Sequence, residues 1–327
     1  MSAVVGVDLG GTKVAIAGLN DSELGDSMIE PTELSSGEAL IDQIVRMVES
    51  ARGEELEAVG IGVPSVVEFE TGTVISSVNV PLVDVPLRRV LGDRLGVPVF
   101  VDNDATVAAL AEAHDESMRM VARNLVMLTF GTGVGGGLVL GGRIYRGATG
   151  AAGELGHTLV GLAVEREVPA ASGFPQPGSL ESLASGQALD RLAVLVASEN
   201  PESELGRLAA SGEPCTGVEA VRAAQDGDEP AKHAVRLWAQ RVGIGIANAI
   251  NTFDPEEVVI GGGAARAGDL LLEPASRVAR EYALPGLGTR TRIRLAWHGV
   301  RSGVLGAALL AAHELEAPTS HATMEVG

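Results

Sequence analysis

Asp8-Leu9-Gly10-Gly11-Thr12-Lys13 stands between two apolar runs, Val4 to Asp8 and Lys13 to Leu19. Two runs of strand-forming residues parted by Gly-Gly predict a β-hairpin closed by Gly10 and Gly11. The carboxylate of Asp8 then sits at a strand end, and the glycines let the backbone come close to a ligand. Such a turn can offer amide N–H groups and the Thr12 hydroxyl to phosphate oxygens, while Asp8 holds a hydrated Mg²⁺. A bare hairpin turn has the same spelling, so the motif does not choose between the two by itself.

The pattern recurs. Leu125 to Phe130 reads as a strand, Gly131 to Gly137 as a loop, and Leu138 to Leu140 with Ile144 and Tyr145 flank a second Gly-Gly turn at Gly141-Gly142. Phe130 to Gly137 also fits the G-x-G-x-x-G pattern of dinucleotide sites, but that fingerprint must open a helix, and this one leads into a strand. A phosphate loop at Gly131, Thr132 and Gly133 is the reading that remains.

Outward from these two hairpins, Ser35 and Glu38 form a capping-box pattern ahead of an amphipathic helix carrying Leu40, Ile41, Ile44, Val45 and Val48. Val59 to Val63 is a strand broken by Pro64. Val97 to Val101 is another, leading to a helix over Ala105 to Ala113 that Asp104 opens. Residues 158 to 180 are rich in Pro, Gly and Ser, without a period, and predict an irregular excursion. Glu229 to Thr252 is a long helix, Glu257 to Ile260 a strand, Asp269 to Tyr282 a helix after Gly261-Gly262-Gly263, and Ser302 to Leu315 a final apolar helix. The tail from Glu316 is polar.

Composition limits the function. A chain of 327 residues is long enough for two domains. Its formal charge of -19 disfavours nucleic acid and anionic membranes, which bind basic surfaces. Lys13 and Lys232 are the only lysines, so a lysine inside a glycine-rich motif stands out. The single cysteine, Cys215, excludes an intramolecular disulfide and a multi-cysteine metal site, and a reducing cytoplasm is expected. The strand-like start at Ala3 leaves no room for a signal peptide. The uncharged stretch 124–142 holds Asn, Thr and many Gly, against a membrane span.

Asp104 is the candidate general base. An alcohol hydroxyl is a poor nucleophile, and a carboxylate within hydrogen-bond reach can take its proton as a phosphoryl group arrives. Taken alone, Asp104 reads first as a plain helix N-cap. Asn103 beside it is a turn residue or a donor and acceptor for a substrate hydroxyl. Glu154 and His157 are three apart and either face one ligand, if their segment is helical, or are a solvated Glu and a hydrogen-bonded His. Glu181 is either a further ligand or a first-turn acid favoured by its helix dipole.

Taken together and in this order, the segments resemble the ROK family of sugar kinases and repressors, specifically its bacterial glucokinase branch, from about Val4 to Leu315. The resemblance implies an α/β, two-domain, actin-like (ribonuclease H-like) ATPase fold with a cleft between domains. It implies a small domain of residues 1–117 completed by the last helix, 302–315, a large domain of 118–301, and a disordered tail of 316–327. Asp8, Gly10, Gly11, Thr12 and Lys13 become the first phosphate motif, with Asp8 on Mg²⁺ through water. Gly131, Thr132 and Gly133 become the second, Gly262 and Gly263 the adenosine-side glycines, and Asp104 the catalytic base. The family's sugar ligands map to Asn79, Asn103, Asp104, Glu154, His157 and Glu181. ATP and Mg²⁺ are the implied cofactors, a hexose the small-molecule partner, and a homodimer the assembly.

Two departures matter. The family carries a zinc motif of three cysteines before the position of Glu181, with the residue matching His157 as fourth ligand; Ser172, Phe174 and Ser179 occupy the cysteine positions. Structural zinc needs about four N or S ligands, so no zinc is expected. Ser65 replaces the glycine of a Pro-Gly pair near the sugar and narrows or re-polarises that side of the pocket. Glucose phosphorylated at its 6-hydroxyl is therefore the expected reaction, with an amino sugar (kanosamine or N-acetylmannosamine) as the alternative. A sugar-sensing repressor would need a helix-turn-helix ahead of Asp8. A silent sugar-binding protein would not need both glycine loops and Asp104, and an actin- or chaperone-type ATPase would not need the Asn103, Glu154 and His157 set.

Overall fold

Two strand-turn-strand hairpins organise two α/β units in the computed structural model, which describes residues 3–20, 23–52, 55–77, 79–162 and 170–316. One unit comprises residues 1–111 and 301–327, the other residues 112–300. The expected tail lies outside the described residues from 317 onward.

In the first unit, β1 (Ala3–Leu9) turns at Gly10-Gly11 into β2 (Lys13–Asn20), pairing Asp8 with Ala15 and Leu9 with Val14. Short strands β3 (Glu23–Leu24) and β4 (Met28–Pro31) add to β2. Helix α1 (Gly37–Ala51) crosses to β5 (Leu56–Val63), parallel to β1. A small sheet of β6 (Ser65–Glu68), β7 (Thr73–Ser77) and β8 (Val85–Pro86) follows. Helix α2 (Leu87–Leu95) then leads to β9 (Val99–Asn103), parallel to β5, and α3 (Asp104–Glu112).

Leu40, Ile44, Met47 and Val48 of α1 and Leu87 and Leu91 of α2 are fully buried in one core with Val5, Val7, Ile16 and Ile61. Against β1 and β5, the closing helix Ser302–Glu316 packs backbone to backbone. A Cβ on Gly6 would stand 2.1 Å from the Val304 carbonyl oxygen, and one on Gly60 1.8 Å from that of Ala307. The strand glycines are what let this helix approach.

Two local expectations shift by a residue or two. The side chain that caps α1 is Ser36, whose Oγ accepts the Ala39 N–H at 3.1 Å, whereas Ser35 donates its own N–H to Glu33. Strand β9 begins at Val99 rather than Val97, because Pro98 lacks the N–H a ladder needs. Asn103 therefore belongs to the strand, and Asp104 is the first helical residue.

The second unit repeats the plan. Strand β10 (Leu125–Phe130) and β11 (Val134–Leu140) form the hairpin, β12 (Arg143–Ile144) extends it, and β13 (Glu257–Gly261) and β14 (Arg292–Leu295) lie parallel on the other side of β10. The sheet order, hairpin first and parallel strands after, matches that of the first unit. Helices α4 (Leu180–Ala184), α5 (Gly186–Glu199), α6 (Glu204–Ala210), α7 (Gly217–Gln225), α8 (Glu229–Phe253) and α9 (Asp269–Tyr282) cluster around Trp238 and Ile246. Fully buried Glu112, last residue of α3, accepts Arg294 Nη1 at 2.7 Å and the Trp297 and His298 N–H groups at 2.9 and 3.0 Å. No described helix is long and apolar enough to cross a membrane.

Candidate active site

The first unit brings Asp8 and Asp104 together. Strands β1, β5 and β9 run parallel with Asp8 beside Gly62 and Gly62 beside Asp102, so Asp8 and the start of α3 open at the same strand ends. This is where parallel α/β sheets bind ligands. Burial pushes the half-buried Asp8 carboxyl up to about 6, the negative charge of Asp104 adds to the rise, and Lys13 opposes it. A carboxylate destabilised by burial and by a neighbouring negative charge is one that a cation beside it would favour in its charged form.

Asn103 decides what Asp104 is for. Its Oδ1 accepts the N–H groups of Ala105 and Thr106 at 3.0 and 3.2 Å, and its Nδ2 donates to the Ser65 carbonyl at 3.3 Å. The cap of α3 is thus Asn103, and the alternative that Asp104 serves only as that cap is corrected. Asp104 keeps a short contact of its own, Oδ1 accepting Ala105 N–H at 2.8 Å. Ser65 is 7% exposed, and its Oγ is buried with no hydrogen-bond partner.

The first glycine turn is braced. Gly10 N–H donates to the Lys13 carbonyl at 2.9 Å, and Thr32 Oγ1 donates to the Gly10 carbonyl at 2.6 Å. Thr12 and Lys13 are exposed at its tip. Exposed Asn79 lies against it: a Cβ on Gly11 would come 2.9 Å from Asn79 Cβ.

The second unit carries candidate residues of its own. Gly131 N–H donates to the Gly133 carbonyl at 2.9 Å, leaving exposed Thr132 at the loop tip. Glu181, in the first turn of α4, reaches this loop: its Oε2 accepts Val134 N–H at 2.8 Å and would lie 2.5 Å from a Cβ on Gly133. Glu154 precedes and His157 ends a 3₁₀ turn, Leu155–His157, which brings His157 Nε2 to 3.7 Å from Glu154 Oε2. His157 Nδ1 is buried without a partner.

Beside Gly131 and Thr132 lies a cavity of about 600 Å³, walled by Gln187, Val218, Val221, Ala264 and buried Trp238 and floored near Gly263. Gly262 adopts φ 77°, open to glycine, and a Cβ there would strike the Phe130 carbonyl at 2.5 Å. Mostly apolar walls with phosphate-loop glycines at the mouth suit a nucleoside whose phosphates rest on the loop. Sequence reasoning missed these walls, since Gln187 and Val218 lie in ordinary helical spelling. It also missed Gly303 in the closing helix, whose position gives a Cβ only 2.4 Å from Asp8 Cγ.

At the zinc-motif positions, Ser179 caps α4 by accepting Ser182 N–H, Ser172 donates its N–H to Gln176 Oε1 at 2.9 Å, and Phe174 is 76% exposed. Among the described residues no three His, Cys, Asp or Glu side chains are grouped as metal ligands.

Residues 4–314 match the model of the ROK family. A glucokinase of Halalkalibacterium halodurans is 36% identical over 310 residues, 92% of each chain. A ROK family glucokinase from Streptomyces griseus, solved in complex with glucose and AMPPNP, superposes with a TM-score of 0.76 at 32% identity, covering 95% of this chain and 100% of that one. A ROK hexokinase from Thermus thermophilus gives the same TM-score at 36% identity, over 96% and 99%. The mixed α/β units, each built on a glycine-turned hairpin, are those of the actin-like sugar kinases, and the chain belongs to the ROK family.

Proposed function

We propose that this protein is an ATP-dependent hexose kinase that transfers the γ-phosphate of ATP to the 6-hydroxyl of glucose or a close analogue. The observation that carries the reading is the pairing of Asp8 and Asp104 at one edge of the first unit, where Asn103 takes over the helix cap. The glucokinases among its relatives support it.

In this reading Asp104 accepts the proton of the attacking hydroxyl. Asn103 retains one Nδ2 hydrogen, beyond the one given to Ser65, for a sugar hydroxyl. Glu154, His157 and Glu181 bind hydroxyls away from the reacting end, Ser65 lines the acceptor side and Asn79 borders it. Asp8 holds Mg²⁺ through water. Gly10, Gly11, Thr12 and Lys13, and likewise Gly131, Thr132 and Gly133, take the phosphates, and Gly262 and Gly263 the adenosine. Mg²⁺, when bound, neutralises the charge of the transferring phosphate. The working form is a cytoplasmic homodimer without nucleic-acid, membrane or zinc partner.

A coupled ADP-release assay over glucose, mannose, fructose, kanosamine and the N-acetyl hexosamines tests this. Glucose or one aldohexose analogue should dominate, and Asp104→Asn should lower the rate about a hundredfold or more with sugar affinity kept. Near-normal turnover in that variant, or no ADP release with any hexose, would end the proposal.

A further inference from the structure

His157 is held by few polar contacts. Its Nδ1 is enclosed without a partner, and its Nε2 stands 3.7 Å from Glu154, beyond a good hydrogen bond. An imidazole so placed turns easily about its side-chain bonds unless packing stops it. The packing comes from Phe174, whose ring meets the His157 ring at 81°, centroids 5.2 Å apart. That edge-on geometry is the favoured one for aromatic pairs. Phe174 is otherwise 76% exposed, so the imidazole is a principal use of its ring.

The loop that carries Phe174 is tied at its base to the same site. Val160 and Gly161 donate their N–H groups to the Gly178 carbonyl at 2.8 and 3.0 Å, and Leu180 donates to Thr158 at 2.9 Å. Leu159 and Ser179 form an isolated antiparallel bridge. One strand of this stem follows His157 directly and the other runs straight into Leu180-Glu181. Nearer the tip, Ser172 N–H and Gln176 Oε1 close a small ring of chain around Phe174.

We propose that Phe174 is a positioning residue that sets the His157 imidazole through this ring contact and thereby tunes affinity for the hexose. The inference rests on the reading of His157 as a sugar ligand. Because the contact acts on binding remote from the transferring phosphate, its loss should raise KM and leave kcat alone.

The experiment compares Phe174→Ala, Phe174→Tyr, His157→Ala and the double variant by glucose kinetics and by NMR of the imidazole protons. Phe174→Ala should raise the glucose KM about threefold to tenfold, the span of an aromatic pair, with kcat within about twofold. Phe174→Tyr keeps the ring and should restore KM. The double variant should be no worse than His157→Ala, since the two changes then act through one group. The His157 ring protons should lose the ring-current shift imposed by Phe174. A normal KM in Phe174→Ala beside an impaired His157→Ala overturns the proposal. A normal KM in His157→Ala overturns the sugar role of His157 instead, and the NMR shift then judges the ring contact alone: its persistence in Phe174→Ala overturns that too.

Discussion

Gly303 lies against the carboxylate of Asp8: a Cβ at position 303 would stand 2.4 Å from Asp8 Cγ and 2.5 and 2.7 Å from its oxygens. Gly303 is the second residue of the closing helix. The helix thus reaches the metal-binding candidate only because this position has no side chain.

Gly303→Ala should displace Asp8 even though alanine favours a helix by about 1 kcal/mol over glycine. The expected result is a fold that persists, kcat/KM for Mg-ATP reduced tenfold or more, and hexose affinity changed less than about twofold. Titrating Mg²⁺ against rate checks it. An unchanged Mg²⁺ dependence would remove Asp8 from the metal site.

The Asp8 carboxyl, held at about 6 instead of the ordinary 3.8, binds its proton more tightly in the native state than in the unfolded chain. Stability from this site is full below about pH 4 and is lost as pH rises to about 6, the reverse of a salt-bridged aspartate. A shift of this size corresponds to at most about 3 kcal/mol, since solvent reaches the half-buried carboxylate. Urea unfolding of metal-free wild type and Asp8→Asn should show the variant gaining on the wild type between pH 4 and pH 7. A constant difference across that range contradicts the raised value.

Glu181 and Gly133 belong to one contact, Oε2 accepting Val134 N–H at 2.8 Å with no room for a methyl on Gly133. Gly133→Ala should push the carboxylate off the loop and raise KM for both ATP and hexose. The loss should be about tenfold or more, the scale of a hydrogen bond to a charged group. A rise in the ATP KM alone would detach Glu181 from the sugar.

Elemental analysis of protein purified without chelator should find no stoichiometric zinc. Ser172, Phe174 and Ser179 offer no thiolate, and the serine at 179 is engaged in capping α4. One zinc per chain, lost with activity on chelation, is the contrary result.

The Gly10-Gly11 hairpin, the Gly141-Gly142 turn, the long helix α8 and the closing helix were legible in the sequence, because each is local, but the stretch read as a loop over 131–137 is strand from Val134, since its glycines pair along β10. The candidate set was legible in the same way, as short motifs in a fixed order. What a side chain does within such a motif was not. Asn103 and Asp104 compete for the same cap by spelling, and only the placement of Ser65, 38 residues away, fixes the Asn103 carboxamide in that role.

The sequence by itself determined the kind of protein: two glycine-rich hairpins, a strand-end Asp-Asn-Asp and the Glu154 and His157 pair, each readable from a spacing of a few residues, with Glu181 following 24 positions after His157. Tertiary structure alone decided which of these groups meet. Asp8 and Asp104 are 96 positions apart and are joined by parallel strand pairing, while Gly303 reaches Asp8 across 295 positions by helix packing on Gly6 and Gly60. Such contacts depend on how closely backbones approach, with tolerances of about a few tenths of an ångström, which no local pattern of residue types records.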